Sequence, residues 1–265
     1  MKLEDLIGIL ILSTWLGMLA LEALFPARSY PKVRGWRFLG AFALLAFMAI
    51  STVMPLLLPP ALFEHTWLQL GDLSPVLGAP LGFAAVTFVG YLYHRLCHRF
   101  GFMWRWLHQL HHSAPRLDIG GAMMFHPLEM GVYGVLQPVI LVSVLGLSPE
   151  SAALAGFIAA FYSLFQHLNV RTPTWLGYLI QRPESHGLHH EQGVHAYNYG
   201  DLPLWDMLFG TFRNPARFTG DVGFGGNEHR RVFSMLFGRD VSQGTGTRAL
   251  RDANGARSVP DAVNA

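Results

Sequence analysis

The sequence predicts an all-α protein, a multi-pass transmembrane helical bundle of four or five membrane segments with a helical cap at one end. Three observations support this fold class. The chain of 265 residues is 51% hydrophobic and only 14% charged, whereas an ordinary soluble domain carries roughly 25% charged residues. Long apolar stretches recur between residues 6 and 165. Eight of the thirteen histidines stand in three clusters with helical spacing.

Five apolar stretches are candidates for membrane-embedded helices. They cover residues 6–25, 38–63, 77–93, 128–147 and 152–165. A helix needs about 20 residues to cross a bilayer, so the first two are long enough and the last three fit shorter or tilted spans. We interpret residues 1–76 as N-terminal anchor helices, and the first of them as a retained anchor rather than a cleaved signal peptide.

The basic residues of the loops predict the orientation of the bundle. The loop after the first stretch contains Arg28, Lys32, Arg34 and Arg37, whereas residues 59–76 contain no lysine or arginine. Because short cytoplasmic loops are enriched in these residues, we expect the first loop in the cytoplasm and the second outside. Following the chain onward brings every histidine cluster to the cytoplasmic side. We therefore expect an integral membrane protein, in a bacterial inner membrane, with a cytoplasmic cap.

The three histidine clusters share one spacing pattern. Box 1 reads HRLCH (His94, His98), box 2 reads HQLHH (His108, His111, His112) and box 3 reads HGLHH (His186, His189, His190). Helical residues three or four apart lie on one face. Eight imidazoles exceed the three or four ligands of a single zinc site, so the pattern favours a di-metal site held in the cap. Imidazole binds iron, zinc, copper and nickel, so the spacing does not name the metal.

Other classes of site lack their motifs in this sequence. The single cysteine, Cys97, rules out an internal disulfide and a CxxC metal site, and its helical register points it away from the His94/His98 face. There is no HExxH motif of zinc proteases, and there are no Glu-x-x-His pairs of soluble di-iron bundles. No basic tract with interleaved aromatic residues suggests a nucleic-acid partner.

The motifs HRLCH, HQLHHS, QHLNV and HGLHH, followed by NYGDLPLWDMLFGTF, resemble the fatty acid hydroxylase/sterol desaturase superfamily. The resemblance covers about residues 77–225, which we interpret as the catalytic domain. It implies a membrane enzyme with a histidine-ligated, non-haem di-iron centre. Such an enzyme would use O2 to hydroxylate or desaturate a fatty acyl, sterol or related lipid, so two iron ions are the expected cofactors and O2 the co-substrate.

The resemblance also implies the residues that bind the metals. The eight histidines of the three boxes are the expected ligands. His167 in QHLNV is added as a ninth, and His126 in FHPLE as a ligand or a neighbouring group, with helix capping as its alternative role. His195 stays open between a ligand, a neighbour of the ligands and a surface residue.

Polar residues near the boxes are candidates for orienting the ligands or assisting the reaction. Asp206, in LWDMLFGT, is the acid that the resemblance favours, with an ion pair to Arg99 or Arg105 as its alternative role. Asn169 and Asn198 are candidates for hydrogen bonds at the site, with turn or cap chemistry as the alternative. The acids that could fix the imidazole tautomers are Glu129, Asp118, Glu184, Asp201 and Asp206.

The expected partners are a membrane lipid as substrate and a separate electron-donor protein, since no haem or ferredoxin-like segment accompanies the boxes. Candidate residues for receiving the donor are Arg95, Arg99, Arg105 and Arg116, whose default role is membrane anchoring. Candidate residues for the lipid cavity are Met123, Met124, Phe125, Phe161 and Tyr162. The sequence sets no expectation for the oligomeric state.

Two other functions remain as alternatives. A zinc-dependent membrane hydrolase could use the same histidines, although the excess of ligands argues against it. A non-enzymatic membrane electron carrier that binds haem or another metal would normally place its axial histidines inside facing spans, whereas these histidines lie at the ends of spans. Beyond the boxes, residues 172–215 should form short helices and loops over the metals, and the polar residues 240–265 a disordered tail.

Overall fold

The computed structural model describes residues 3–242, which form a helical bundle without a β-strand in that range. Five long helices make up the bundle: α1 (Leu3–Leu24), α2 (Trp36–Val53), α3 (Pro75–Arg99), α4 (Pro127–Pro138) and α5 (Pro149–Phe165). A 3-10 turn, Met54–Leu57, extends α2, and a π-helical turn, Val139–Val144, extends α4. The predicted all-α class is therefore confirmed.

Four helices are long and apolar enough to cross a membrane. They comprise Leu6–Leu24, Trp36–Leu57, Pro75–Arg99 and Pro127–Val144, while Pro149–Phe165 is a shorter apolar helix. Large apolar side chains on these helices point outward, as Phe38 and Val76 do with 81% of their surface exposed. An exposed apolar belt of this kind suits a surface that contacts lipid.

Proline marks where many of the helices begin. It occupies the first helical position of α3, α4 and α5, and of the short helices α6 (Pro183–His189) and α7 (Pro203–Leu208). Proline suits this position because the missing N–H would have no partner within the helix. Ser148 adds a side-chain cap, since its Oγ accepts a hydrogen bond from the N–H of Ser151 at 3.2 Å.

Helix packing brings successive loops to opposite ends of the bundle. At one end, the N–H of Ala27 donates to the carbonyl of Asn169 at 2.9 Å. At the other end, the N–H of Trp67 donates to the carbonyl of Ser143 at 3.0 Å. The loop after α1 therefore shares an end with the C-terminus of α5, and the loop before α3 lies at the opposite end.

The segment between α3 and α4 and the chain after α5 close the first of these ends. Box 2 lies in a helical segment made of Gly101–Met103, the π-helical turn Trp104–His108, and Gln109–His112. After α5, a 3-10 turn at Thr174–Tyr178 precedes α6 and α7. These short elements form the cap that the sequence predicts over the histidines.

The predicted disordered tail, residues 240–265, falls mostly outside the described residues. Of the residues at its start that the structure describes, Val241 is buried, with only 3% of its surface exposed. The Gln109 side chain clamps this segment, donating to the carbonyl of Arg239 at 2.9 Å and accepting from the N–H of Val241 at 3.3 Å. The Gln109 amide thus holds residues 239–241 in place, although their polar composition does not predict a packed segment.

We predict that the two ends of the bundle lie on opposite faces of the membrane. Asp72 is exposed at the end away from the histidines, and Asp221, near Arg28, is exposed at the histidine end. Single cysteines, Asp72→Cys or Asp221→Cys in a Cys97→Ser background, should react with a membrane-impermeant maleimide from opposite sides of intact and lysed cells. Labelling of both cysteines from the same side would contradict this arrangement.

Candidate metal centre

Nine histidines converge at the capped end of the bundle in two adjoining sets. Site A contains His94, His98, His108, His112 and His189, and site B contains His111, His167, His186 and His190. Within each set, one nitrogen from every residue lies within 4.8 Å of the others. All eight box histidines and His167 are therefore brought together, and all but His98 are buried.

The helical spacing of boxes 2 and 3 divides their histidines between the two sites, whereas both histidines of box 1 face site A. In box 2, His108 and His112 face site A, and His111 faces site B. Box 3 reverses this arrangement, since its first and last histidines face site B and its middle one, His189, faces site A. Neighbouring helical residues point about 100° apart, so an HxxHH box supplies an i, i+4 pair to one site and the remaining imidazole to the other.

The spacing of the imidazole nitrogens fits one metal ion in each site. The Nε2–Nε2 distances are 3.2 Å for His94–His98 and 3.1 Å for His112–His189, His111–His167, His167–His186 and His186–His190. Two neighbouring nitrogens bound to one ion at about 2.0–2.1 Å lie roughly 2.8–3.4 Å apart, from octahedral to tetrahedral geometry. The donor set therefore fits a metal ion in each site without rearrangement.

Four of the nine histidines have their outer nitrogen held by an acceptor. Each Nδ1 lies 2.7 Å from its partner: Tyr199 carbonyl for His94, Glu129 Oε1 for His108, Ser163 carbonyl for His167 and Tyr197 carbonyl for His189. A hydrogen bond donated by Nδ1 fixes the tautomer and leaves the Nε2 lone pair for a metal. The Nε2 of His108 is buried and has no hydrogen-bond partner, which a bound ion would supply.

Burial keeps these imidazoles neutral. It lowers the pKa of His108 to about 3 and that of His167 to about 4. For the other box 2 and box 3 histidines, burial and then neighbouring imidazoles lower the pKa well below its ordinary value. Neutral imidazole is the form that binds metal, so these histidines can bind cations near pH 7 without first losing a proton.

The loop that supplies two of these acceptors adopts an uncommon backbone conformation. His195, Tyr197 and Asn198 have φ angles of 41°, 64° and 47°, which non-glycine residues seldom adopt. Asp206 stabilises this loop, since its carboxylate accepts hydrogen bonds from the N–H of Tyr199 and of Gly200, both at 2.8 Å. The loop is thereby held with its carbonyls toward the histidines.

Asp206 therefore acts on the ligands through the backbone. It is fully buried and also accepts a hydrogen bond from the Thr211 hydroxyl at 2.7 Å. Burial raises its pKa to about 6, against the lowering effect of these hydrogen bonds. In the described part of the chain it forms no ion pair with Arg99 or Arg105, the alternative that the sequence suggested.

The structure places Asn169 and Asn198 in turn and cap roles rather than among the site nitrogens. Asn169 donates to the carbonyl of Arg28 at 2.8 Å and accepts from its N–H at 3.2 Å. Asn198 donates to the carbonyl of Ser185 at 2.8 Å and accepts from the N–H of Arg213 at 2.8 Å. Both ends of each amide are therefore engaged by backbone groups.

His126 belongs to neither set of nitrogens and takes the capping role that the sequence offered as its alternative. Its Nδ1 accepts a hydrogen bond from the N–H of Leu128 at 3.1 Å, which caps α4, and its Nε2 lies 3.3 Å from the carbonyl of Leu236. His195 also belongs to neither set, but its Nδ1 lies 3.0 Å from Nδ1 of His112. His195 therefore contacts the site-A ligand His112 on the side of the ring that faces away from the site.

Of the acids that the sequence offered as partners for the imidazoles, Glu129 is the one that binds an imidazole directly. Asp118 accepts from Trp36 Nε1 at 2.7 Å, and Glu184 from the Thr172 hydroxyl at 2.7 Å, so both secure the scaffold. The carbonyl acceptors at Tyr197, Tyr199 and Ser163 were missed, because no sequence signal reports the direction of a backbone carbonyl.

A cavity of about 540 Å³ extends from the histidines into the bundle. Both sites contribute to its wall, and its remaining lining is mostly apolar side chains of α1, α2, α4 and α5. Of the expected lining residues, Met123 and Phe125 are present. Met124 is not among them, and neither are Phe161 and Tyr162, because α5 turns its small residues toward the cavity. Tyr162 packs instead on Phe83, with ring centroids 4.6 Å apart.

These features define an integral membrane protein with a buried, histidine-rich metal-binding site. The sequence model described as Fatty acid hydroxylase matches residues 79–211. The chain belongs to the fatty acid hydroxylase family, as the box motifs suggested.

Three relatives carry names that describe lipid oxidation. Ornithine lipid hydroxylase OlsE of Rhizobium tropici is 32% identical over 194 residues, covering 71% of this chain and 57% of the relative. Alkylglycerol monooxygenase is 26% identical over 132 residues in Caenorhabditis elegans, covering 47% of this chain and 25% of the relative. The Homo sapiens protein of that name is 30% identical over 134 residues, covering 49% and 29%. The chain thus spans between a quarter and three fifths of these relatives, and no solved structure matches it.

We predict that His126→Ala retains the metal and His108→Ala loses it. The His126 variant loses only a helix cap, which costs about 1 kcal/mol of folding stability, and His126→Asn should restore that cap. The His108 variant opens a coordination position that no neighbouring side chain can fill. Metal content per purified chain, measured side by side with thermal stability, checks this. Equal metal loss in the two alanine variants would return His126 to the ligand set.

Proposed function

We propose that this chain is an O2-dependent lipid hydroxylase that binds one iron ion in site A and one in site B. The observation that carries the proposal is the pair of adjoining all-imidazole sites at the end of an apolar cavity inside a membrane bundle. The names of the relatives, a hydroxylase and a monooxygenase, support oxidation rather than hydrolysis.

The donor set supports two redox-active ions. Bound iron would supply the activation of O2 that the attack on a C–H bond requires. Hydrolysis needs a metal with an open position for water, and five plus four imidazoles exceed what that chemistry uses. Haem is a poor fit, because it would use one or two imidazoles, whereas sites A and B bring together five and four.

The protein residues have three tasks in this proposal. Glu129 and the carbonyls of Tyr197 and Tyr199 fix the imidazoles with Nε2 turned inward. The buried histidines and the cap over them exclude bulk water, which protects a reactive centre from side reactions. The apolar cavity holds the lipid with one end against the histidines. We propose hydroxylation as the outcome, and desaturation of the same lipid as the alternative product.

Electrons would come from a separate donor protein that docks on the histidine side. Arg95 and Arg99 are exposed there at the end of α3, so this face can receive an acidic partner. The basic loop after α1 lies at the same end, which supports a cytoplasmic orientation in a bacterial inner membrane by the positive-inside rule. The maleimide labelling described above shows whether the two ends lie on opposite faces of the membrane. It also shows which of the two ends faces the cytoplasm.

The experiment that tests this function compares metal-reconstituted forms of the purified full chain. With two iron ions, O2 and a chemical reductant, we expect membrane lipids to gain one oxygen, detected by mass spectrometry as a gain of about 16 Da. The zinc-reconstituted protein should give no oxidised product, and Glu129→Gln should bind iron about 10- to 100-fold more weakly. Exposed Glu150→Gln is the matched control. Hydrolysed lipid with zinc, or a haem absorption band, would overturn the proposal.

A further inference from the structure

One carboxylate, Asp201, lies in the wall of the cavity. None of the described residues that line this cavity is a lysine or an arginine, and Asp201 is the acid among them. Its Oδ1 accepts a hydrogen bond from Gln166 Nε2 at 2.6 Å, which is a neutral partner. No other described side chain donates to this carboxylate, so its second oxygen remains available to a ligand.

Asp201 lies at the histidine end of the cavity. Gln166, its partner, immediately precedes the site-B ligand His167. Asp201 itself follows the loop in which the carbonyl of Tyr199 holds the site-A ligand His94. Asp201 is nevertheless a member of neither metal set, so it faces the cavity beside the metals without being one of their ligands.

Beyond this end, the cavity suits an apolar chain. Small residues of α5 line it at helical spacing, namely Ala152, Gly156, Ala159 and Ala160. Leu44, Met48 and Pro55 of the α2 segment line it as well. The cavity therefore has a charged end beside the histidines and is apolar elsewhere. This arrangement suits a lipid whose polar head group lies at the histidine end and whose chain fills the rest.

Asp206, the neighbouring acid, is a carboxylate whose charge is balanced by several hydrogen-bond donors. Asp206 is surrounded by two backbone N–H groups and a hydroxyl, and the Arg95 guanidinium acts on it electrostatically. Asp201 has a single amide. Asp201 is partly buried at the capped end of the bundle, and a carboxylate withdrawn from water is costly unless it is paired. A cation that enters through the cavity would supply this pairing.

We propose that Asp201 is the head-group subsite and that it binds the primary ammonium group of an aminolipid whose chain fills the rest of the cavity. This inference rests on the proposed lipid hydroxylase function and narrows its substrate class. An ammonium is favoured over a neutral diol head group, because hydroxyls can donate hydrogen bonds to the carboxylate but cannot neutralise its charge.

The test is a binding measurement on the full-length, metal-loaded protein in a neutral detergent. The probes are oleylamine, its uncharged analogue N-acetyloleylamine and the neutral ether 1-O-hexadecylglycerol. The wild type should bind oleylamine about 10- to 100-fold more tightly than either neutral probe, as expected for a hydrogen bond to a charged group. Asp201→Asn should lose this preference while its affinity for N-acetyloleylamine stays unchanged, and Asp201→Glu should retain part of the preference.

The controls separate this inference from the proposed function. Asp72→Asn removes a carboxylate at the opposite end and should bind like the wild type. Equal wild-type affinity for the three probes, or tighter binding of the glyceryl ether, overturns the head-group assignment whether or not the variants fold. Loss of metal from Asp201→Asn also overturns it, since the carboxylate would then serve the ions. Amine selectivity without any lipid oxidation would retain this subsite and refute the hydroxylase.

Discussion

The convergence of nine neutral imidazoles on two adjoining points is the constraint on which the rest of this structure depends. Lone pairs only 3.1–3.2 Å apart repel one another unless a cation or a shared proton lies between them. Burial lowers the pKa of the box 2 and box 3 imidazoles, which favours the neutral form that binds metal. A metal ion in each site would offset this repulsion, and much of the chain serves to present these nitrogens.

The parts that present the nitrogens come from distant segments of the chain. The end of α3, the box 2 segment, the end of α5 and helix α6 each contribute ligands. The loop at 195–200 then locks two rings through its carbonyls, and Asp206 locks the loop. Because the same loop continues to Asp201, the elements that hold the metals also build the charged end of the cavity. Metal binding and head-group recognition thus share one scaffold.

Features that depend on residues close together in the sequence could be predicted, whereas features that depend on tertiary packing could not. The membrane helices and the box histidines were predicted because apolar runs and three- and four-residue spacings act within one helix. The identity of Glu129 as the partner of His108, one of several acids on offer, required the tertiary packing of α4 against box 2. The role of His126 stayed open in the sequence, because a histidine before proline is typical of a ligand and of a helix cap alike. The rotation of α5, which points Ala159 rather than Tyr162 at the cavity, leaves no sequence signature.

The most direct test of this account is an anomalous-scattering measurement on crystals of the iron-reconstituted protein at the iron absorption edge. The account predicts two peaks, one bound by His94, His98, His108, His112 and His189, and one bound by His111, His167, His186 and His190. The adjacent residues His111 and His112 would then bind different ions. A single peak, or two peaks with those adjacent histidines on the same ion, would contradict the division of box 2 between two metals.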